Sequence, residues 1–456
     1  MEWLKKHYLE KPAAKFINQL TFRDVYEQVG VLAKKLNPYV QDERRVALWA
    51  NNSVDMALFF FALQVLRKEV LLLNTRLTAD EITKQLQALH IQTVFSEDDR
   101  FIPFYKVCQG QADNLELKYE FDAEQIAVIM NTSATTGAFK SVPLRWKQFH
   151  AHVQASQTSL GITAADNWLI VLPMYHIGGL TILLRSLYNG TQATILPGFT
   201  EAQVISLLAG GSINMVSVVP TLLKRIVHRI EKHNLRVVLL GGEFVPASLV
   251  ESCIKKNIPV YKTFGMTETT SQSATFSVLA HRDKLNAVGL PLAGVQFSIQ
   301  KPDETGCGEI LIKSPMLMDG YIGQENISGY FNTEDVGYID EDGFLYILDR
   351  RQNIIISGGE NIYPQEIENV LYELPGIVEC AVVAHQDEKW GQVPALYVVS
   401  ALPAAAIFSH LSRKLAKYKL PKKIIQLAEL PKNAVGKIAK RDLAGAVGDA
   451  HQTEFF

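Results

Sequence analysis

IAVIMNTSATTGAFKSVPLRW, residues 126–146, is the stretch that decides the fold. Its first five residues are apolar without alternation, which reads as a strand of a parallel sheet covered on both faces. A loop rich in hydroxyls and glycine follows and ends in Lys140, and the residues after it lead into a helix. Backbone N–H groups around Gly137, the hydroxyls of Thr132, Ser133, Thr135 and Thr136, and the ammonium of Lys140 together suit a polyphosphate. The spacing is not G-x-x-x-x-G-K-[ST], because Phe139 precedes Lys140, so the P-loop GTPase and ATPase readings fail. A polar surface turn would have the same composition.

On both sides of this stretch, helix-period segments alternate with short aliphatic runs from Thr21 to about Pro259. VALWA (46–50), VLLLN (70–74), NWLIVL (167–172), ATIL (193–196), INMVSVV (213–219) and RVVLLG (236–241) read as buried strands. TADEITKQLQALH (78–90) opens with Thr78 and Glu81 in capping-box spacing. The pattern predicts an α/β body built on parallel sheets. From about 288 to 348, short strands punctuated by Gly, Pro and Asp predict a β-rich subdomain with hairpins. Beyond Arg350, a helix start at YPQEIENVLYEL and the strands ECAVVAH and ALYVVS predict a separate small α+β domain. With 456 residues, the chain is too long for one core, and the division expected is 1–350 and 351–456.

Charge and composition narrow the function classes. Lys and Arg number 45 against 47 Asp and Glu, a net −2, so no whole-molecule field draws in nucleic acid or an anionic membrane. Any polyanion site must be local. The four cysteines are widely scattered, without zinc or disulfide spacing, and read as reduced, mostly structural thiols. The first residues, MEWLKKHYLEKPAAK, lack the apolar core of a secretory signal, and MALFFFALQVL (56–66) is too short to span a bilayer and reads as a buried helix. A cytoplasmic protein without stable membrane insertion is expected. A homo-oligomer is compatible with all of this.

Four further segments carry chemistry. In VYKTFGMTETTSQSATF (260–276), Gly265 allows a ligand close to the backbone, Phe264 offers a ring to a base, and the Glu268 carboxylate suits Mg²⁺. LLGGEFVP (239–246) ends a strand in Gly241 and Gly242, where open α/β sheets commonly bind ligands. In residues 331–368, Asp335 and Arg350 lie near opposite ends of a predicted hairpin. The carboxylate can accept both hydroxyls of a ribose and the guanidinium can donate to hydroxyl or phosphate, although a surface salt bridge explains the pair equally well. LPKNAVGKIAKRDL (430–443) puts Lys437 after a glycine on a turn, within a run (411–441) in which ten Lys or Arg stand against Glu429 alone.

In this order the five segments resemble the adenylate-forming superfamily of acyl-CoA synthetases, luciferases and carrier-protein adenylation domains, over essentially the whole chain. TSATTGAFK is similar to that family's phosphate loop, FGMTE to its adenine and magnesium motif, Asp335 with Arg350 to its ribose clamp, and GGENIYPQEIE with Gly436-Lys437 to its mobile C-terminal domain. Within the superfamily, LPMYHIGGL (172–180), GMTETTSQ (265–272), DRRQNIIISGGENIYP (349–364) and WGQVPALYVVS (390–400) are most similar to the o-succinylbenzoate CoA ligases of menaquinone biosynthesis.

The resemblance implies two half-reactions in one site. A substrate carboxylate attacks the α-phosphate of ATP and expels pyrophosphate; the thiol of coenzyme A then attacks the acyl adenylate and expels AMP. It implies Lys437 between carboxylate and phosphate, Lys140 and Mg²⁺ on Glu268 at the leaving pyrophosphate, and adenine between Gly241-Gly242 and Phe264. Thr267 would face the α-phosphate, Asp335 and Arg350 the ribose, and His176 the acyl pocket, with Thr221, Ser271 and Gln272 as further contacts to the acid. It also implies a hinge at Gln352, about which the C-terminal domain turns to bring Ser357, Gly358 and Gly359 to the coenzyme A channel. Three positions depart from the family pattern: Ala134 in the phosphate loop, Phe139 and Ser141 around Lys140, and Glu334 in place of the glycine before Asp335. The same chemistry on another aromatic or fatty acid, a carrier-protein adenylating domain, and a disabled nucleotide-binding relative stay open as alternatives.

Overall fold

The computed structural model describes residues 1–133, 139–432, 438–445 and 451–454. Ala134, Thr135, Thr136, Gly137 and Lys437 therefore lie outside the described residues. Among those described, two large sheets face each other across a shared layer of helices. One runs in the order Ile102–Pro103, Val94–Ser96, Arg45–Trp49, Glu69–Leu72, Ile126–Ser133, Phe139–Arg145, parallel except at its last pair. The other has six consecutive parallel strands, Val260–Met266, Val237–Gly241, Met215–Val218, Asn167–Ile170, Gln192–Ile195 and Lys15–Ile17, with antiparallel strands at both edges.

Helices that cross from one parallel strand to the next must pack on a sheet face, and these carry matching apolar stripes. Val54–Val65 is apolar from Met56 to Val65 except for Gln64, and every residue of that span is buried. Phe59, Phe60 and Phe61 sit in one core with Val46, Val128, Trp168 and Leu239, so a single cluster joins both sheets. Each buried ring contributes about 1.5–3 kcal/mol relative to exposure. The capping box at Thr78 is formed, with its N–H donating to Glu81 Oε2 at 2.8 Å and Glu81 N–H donating to Thr78 Oγ1 at 3.3 Å.

A four-stranded antiparallel sheet, Gln296–Gln300, Gly308–Lys313, Phe331–Ile339 and Leu345–Arg350, packs against the second large sheet through Ala274, Ile310 and Leu345. A last sheet is built entirely from residues after Arg350 around the pair Ile377–Asp387 and Gly391–Ser400, with the helices Pro364–Tyr372 and Ala404–Lys414 and its own core of Ile355, Ile367, Leu396 and Ile407. The fold is thus a large α/β domain on parallel sheets followed by a small C-terminal domain. No described helix is long and apolar enough to cross a membrane.

Candidate active site

Lys140 stands on a strand. The sequence places it at the end of a loop running into a helix; instead Phe139–Arg145 turns back antiparallel on Ile126–Ser133, with Lys140 opposite Thr132. Buried Val142 and Leu144 impose the two-residue alternation of a strand, and the helix Trp146–Leu160 starts only afterwards. Ser141, where the family usually has glycine, is buried and donates to Asn131 Oδ1 at 2.7 Å, which ties the two strands together. Lys140 Nζ lies 4.0 Å from Glu334 Oε1 and 5.1 Å over the ring of Tyr321. Tyr321 donates to Glu268 Oε1 at 2.9 Å, and burial, then the charge of Glu268, hold its hydroxyl well above the usual range. Tyr321, which sequence reasoning missed, therefore joins the lysine of one motif to the carboxylate of another.

Thr267 and Glu268 form a short 3-10 turn after Val260–Met266. The preceding strand needs Gly265: a Cβ there would lie 1.5 Å from the carbonyl oxygen of Ser271. Gly241 is confined in the same way by the Thr263 carbonyl, at 2.3 Å, and Gly242 takes φ +81°. Both features sit at the carboxyl ends of adjacent parallel strands, Gly241 paired with Thr263. Phe264 is half-buried and tilted against Phe297 at 6.2 Å. No described group of three or more His, Cys, Asp or Glu side chains could hold a metal alone. A single carboxylate on a turn, such as Glu268, suits Mg²⁺, which keeps several waters and takes its remaining ligands from phosphate oxygens.

The hairpin brings Asp335 and Arg350 face to face as direct cross-strand partners. Arg350 Nε is 2.7 Å from Asp335 Oδ1, yet Asp335 is only 3% exposed and its Oδ2 is buried with no hydrogen-bond partner. Burial outweighs the attraction of Arg350 and pushes the carboxyl up to about 6. A buried, uncommitted carboxylate oxygen is the acceptor a ribose hydroxyl requires. Glu334 has φ +63°, a left-handed conformation suited to glycine, so the departure from the family pattern carries backbone strain.

His176 stands at the N-cap position of the helix Ile177–Asn189, its ring 4.8 Å from that of Tyr175. Thr221 is in the first turn of Pro220–Ile226. Ser271 is half-buried at φ +92°, whereas Gln272 is buried, accepting from Ser156 and donating to Thr275 at 2.8 Å each. Behind them lies a pair that sequence reasoning also missed. Arg185 is fully buried, 2.8 Å from His152 Nε2 and 5.0 Å over Trp168, with Nε and Nη1 lacking hydrogen-bond partners. Burial and the Arg185 charge hold His152 well below its ordinary value, so it stays neutral, and burial lowers Arg185 to about 9. A lone arginine in the apolar run IGGLTILLRSLYN was the available signal.

Gln352 is exposed in the 3-10 turn Arg351–Asn353, which Asp349 fastens by accepting from Asn353 at 2.8 Å and from the Gln365 N–H at 3.1 Å. Ser357 ends a strand, and Gly358 and Gly359 follow at φ +58° and +93°, with Gly358 N–H donating to the Trp390 carbonyl at 2.9 Å. The basic run at 411–441 is less of a free field than the sequence suggests. Lys414, Lys419, Lys432 and Lys440 pair with Glu373, Glu366, Glu379 and Glu368, acids that precede the run in sequence.

Residues 1–322 match the model of the AMP-binding enzymes, and residues 366–437 match that of the AMP-binding enzyme C-terminal domain. The chain belongs to the AMP-binding enzyme family. Among family members, the 2-succinylbenzoate–CoA ligase of Lactococcus lactis subsp. lactis (strain IL1403) is 49% identical over 451 residues, covering 98% of this chain and 100% of the relative. The 2-succinylbenzoate–CoA ligase of Staphylococcus aureus (strain MRSA252) is 35% identical over 93% of this chain and 94% of its own length. The o-succinylbenzoate CoA synthetase of Bacillus subtilis in complex with its acyl-adenylate intermediate superposes with a TM-score of 0.91 at 32% identity, covering 99% of each chain. A double mutant of that enzyme bound to a product analogue superposes at 0.74, covering 100% of this chain and 99% of its own.

Proposed function

We propose that this AMP-binding enzyme is an AMP-forming acid–thiol ligase that joins o-succinylbenzoate to coenzyme A through an acyl adenylate, in menaquinone biosynthesis in the cytoplasm. The observation that carries the choice of acid is Arg185. It is a buried guanidinium with two uncommitted nitrogens and no carboxylate partner among the described residues. An acid with two carboxylates can present one for activation and leave the other to neutralise that charge, which a simple fatty or benzoic acid cannot do. The 49% identical ligase supports the same acid.

The first step faces the mutual repulsion of a carboxylate and a polyphosphate. Lys140 and Lys437 would offset that repulsion, Lys437 between the reacting groups and Lys140 at the leaving pyrophosphate. Glu268, oriented by Tyr321, would hold Mg²⁺, which supplies further charge neutralisation on phosphate oxygens. Asp335 would accept the ribose hydroxyls on Oδ2, with Arg350 securing Oδ1, and the base would rest between Gly241-Gly242 and Phe264. Thr132, Ser133, Thr135, Thr136 and Gly137 complete the phosphate loop, Thr267 faces the α-phosphate, and His176, Thr221, Ser271 and Gln272 border the acid. As the carboxylate oxygen bonds to the α-phosphorus, the bond to pyrophosphate breaks. In the second step the coenzyme A sulfur bonds to the acyl carbon and AMP leaves. We assign residues 1–350 to the body and 351–456 to a lid turning at Gln352, which withdraws Lys437 and brings Ser357, Gly358 and Gly359 forward.

The test is a panel of acids assayed for AMP formation with ATP and Mg²⁺, with and without coenzyme A. Turnover with o-succinylbenzoate that exceeds turnover with benzoate, cinnamate and fatty acids, and that needs coenzyme A for thioester release, is the expected result. No pyrophosphate release with any acid would show a disabled relative, and a preference for a monocarboxylic acid would overturn the assignment of Arg185.

A further inference from the structure

Lys440 lies three residues after Lys437 and is not part of the chemistry described above. Its Nζ is 2.8 Å from Glu368 Oε1, and the Glu368 carboxylate is buried in the helix Pro364–Tyr372, where the same oxygen accepts the Val382 N–H at 2.7 Å. Burial penalises the ammonium, but Glu368 and then Asp349 attract it strongly enough to hold it above its ordinary range. Asp349 is the residue that fastens the turn around Gln352. Lys440 is therefore tied to the helix that opens the C-terminal domain and feels the charge of Asp349 at the end of the body.

The described residues on either side of 433–437 pair with each other. Lys432 and Ile438 form an antiparallel bridge, and Ala439 N–H donates to the Pro431 carbonyl at 2.8 Å. Each leg carries an anchor: Lys432 pairs with Glu379 at 2.6 Å and Lys440 with Glu368. Ile438 packs into the small core around Leu430 and Leu443. A side chain that must meet a phosphate to within about 1 Å depends on such a base, since a misplacement of that size costs up to about 100-fold in rate.

We propose that Lys440, through its ion pair with Glu368, is a positioning residue that sets the base of the Lys437 segment for the adenylation half-reaction alone. The inference rests on the reading of Lys437 given above. Thioester formation uses the C-terminal domain with Lys437 withdrawn, so it does not need that base in register.

The experiment measures both half-reactions in the full chain: pyrophosphate release from ATP, Mg²⁺ and o-succinylbenzoate, and thioester formation from supplied acyl adenylate and coenzyme A. Lys440→Met is expected to lower kcat of the first by about 10-fold or more with KM for ATP little changed, and to leave the second within about 2-fold. Lys440→Arg, which can still reach Glu368, is expected to restore most of the first. The intact second half-reaction doubles as evidence that the domain is folded. Equal loss in both half-reactions, no loss in either, or failure of the arginine variant to rescue overturns the proposal. Lys437→Ala, run in parallel, separates the two assignments: if it too spares pyrophosphate release, the reading of Lys437 fails, whereas a selective loss there without one in Lys440→Met overturns the role of Lys440 alone.

Discussion

Asp335 and Arg350 are cross-strand partners whose side chains meet at 2.7 Å, yet burial outweighs the attraction of Arg350 and raises the carboxyl to about 6, with its second oxygen left without a hydrogen-bond partner. A folded value above the ordinary 3.8 means that the native state binds this proton more tightly than the unfolded chain. The group's contribution therefore favours the folded state at low pH and is withdrawn as pH rises from about 4 through 6. For catalysis the sign is opposite, since only the carboxylate accepts two ribose hydroxyls. KM for ATP is expected to rise as pH falls below about 6. Steady-state kinetics across pH 5–8 would check this, and Asp335→Asn should flatten the profile while raising KM throughout.

Arg185 is a buried charge without a carboxylate partner among the described residues, so Arg185→Met should leave the thermal midpoint unchanged or raise it. The same variant should raise KM for o-succinylbenzoate by about 10-fold or more while KM for ATP stays put. A stable variant with unaltered acid kinetics would remove Arg185 from the acid site.

Gly265 has no room for a methyl group, because the Ser271 carbonyl would lie 1.5 Å from it. Gly265→Ala must displace one of two paired strands, and a loss of about 3 kcal/mol or more is expected in urea unfolding, together with loss of pyrophosphate release. By contrast Gly161, at φ +67° with nothing near its Cβ position, should accept alanine at a cost of about 1 kcal/mol and with unchanged activity.

Glu334 is strained at φ +63°, and its carboxylate stands 4.0 Å from Lys140. Glu334→Gly removes both the strain and the competing anion. A thermal midpoint that is no lower and a KM for ATP reduced about 2- to 3-fold are expected from melting curves and initial rates.

Much of this was legible in the sequence. Unbroken aliphatic runs marked the parallel strands, the Thr78 and Glu81 spacing gave a formed capping box, and the apolar run MALFFFALQVL (56–66) lies in the buried helix expected of it. The candidate site was legible where residues act through short motifs, as at Gly265, Glu268, Asp335 and Arg350. Where contacts join distant segments it was not. Nothing local to Tyr321 points to Glu268, 53 positions away, and nothing in the basic run at 411–441 shows that acids of other elements already neutralise several of its lysines.

Periodicity, turn residues and motif order are properties of neighbouring residues, so the sequence by itself determined the α/β body, the small C-terminal domain and the adenylate-forming chemistry expected of them. Burial and partnership arise only when distant segments pack. Tertiary structure alone therefore decided that Lys140 lies on a strand, that Asp335 keeps one oxygen uncommitted, that Arg185 is buried without a counter-ion among the described residues, and that Lys440 is paired with the buried Glu368.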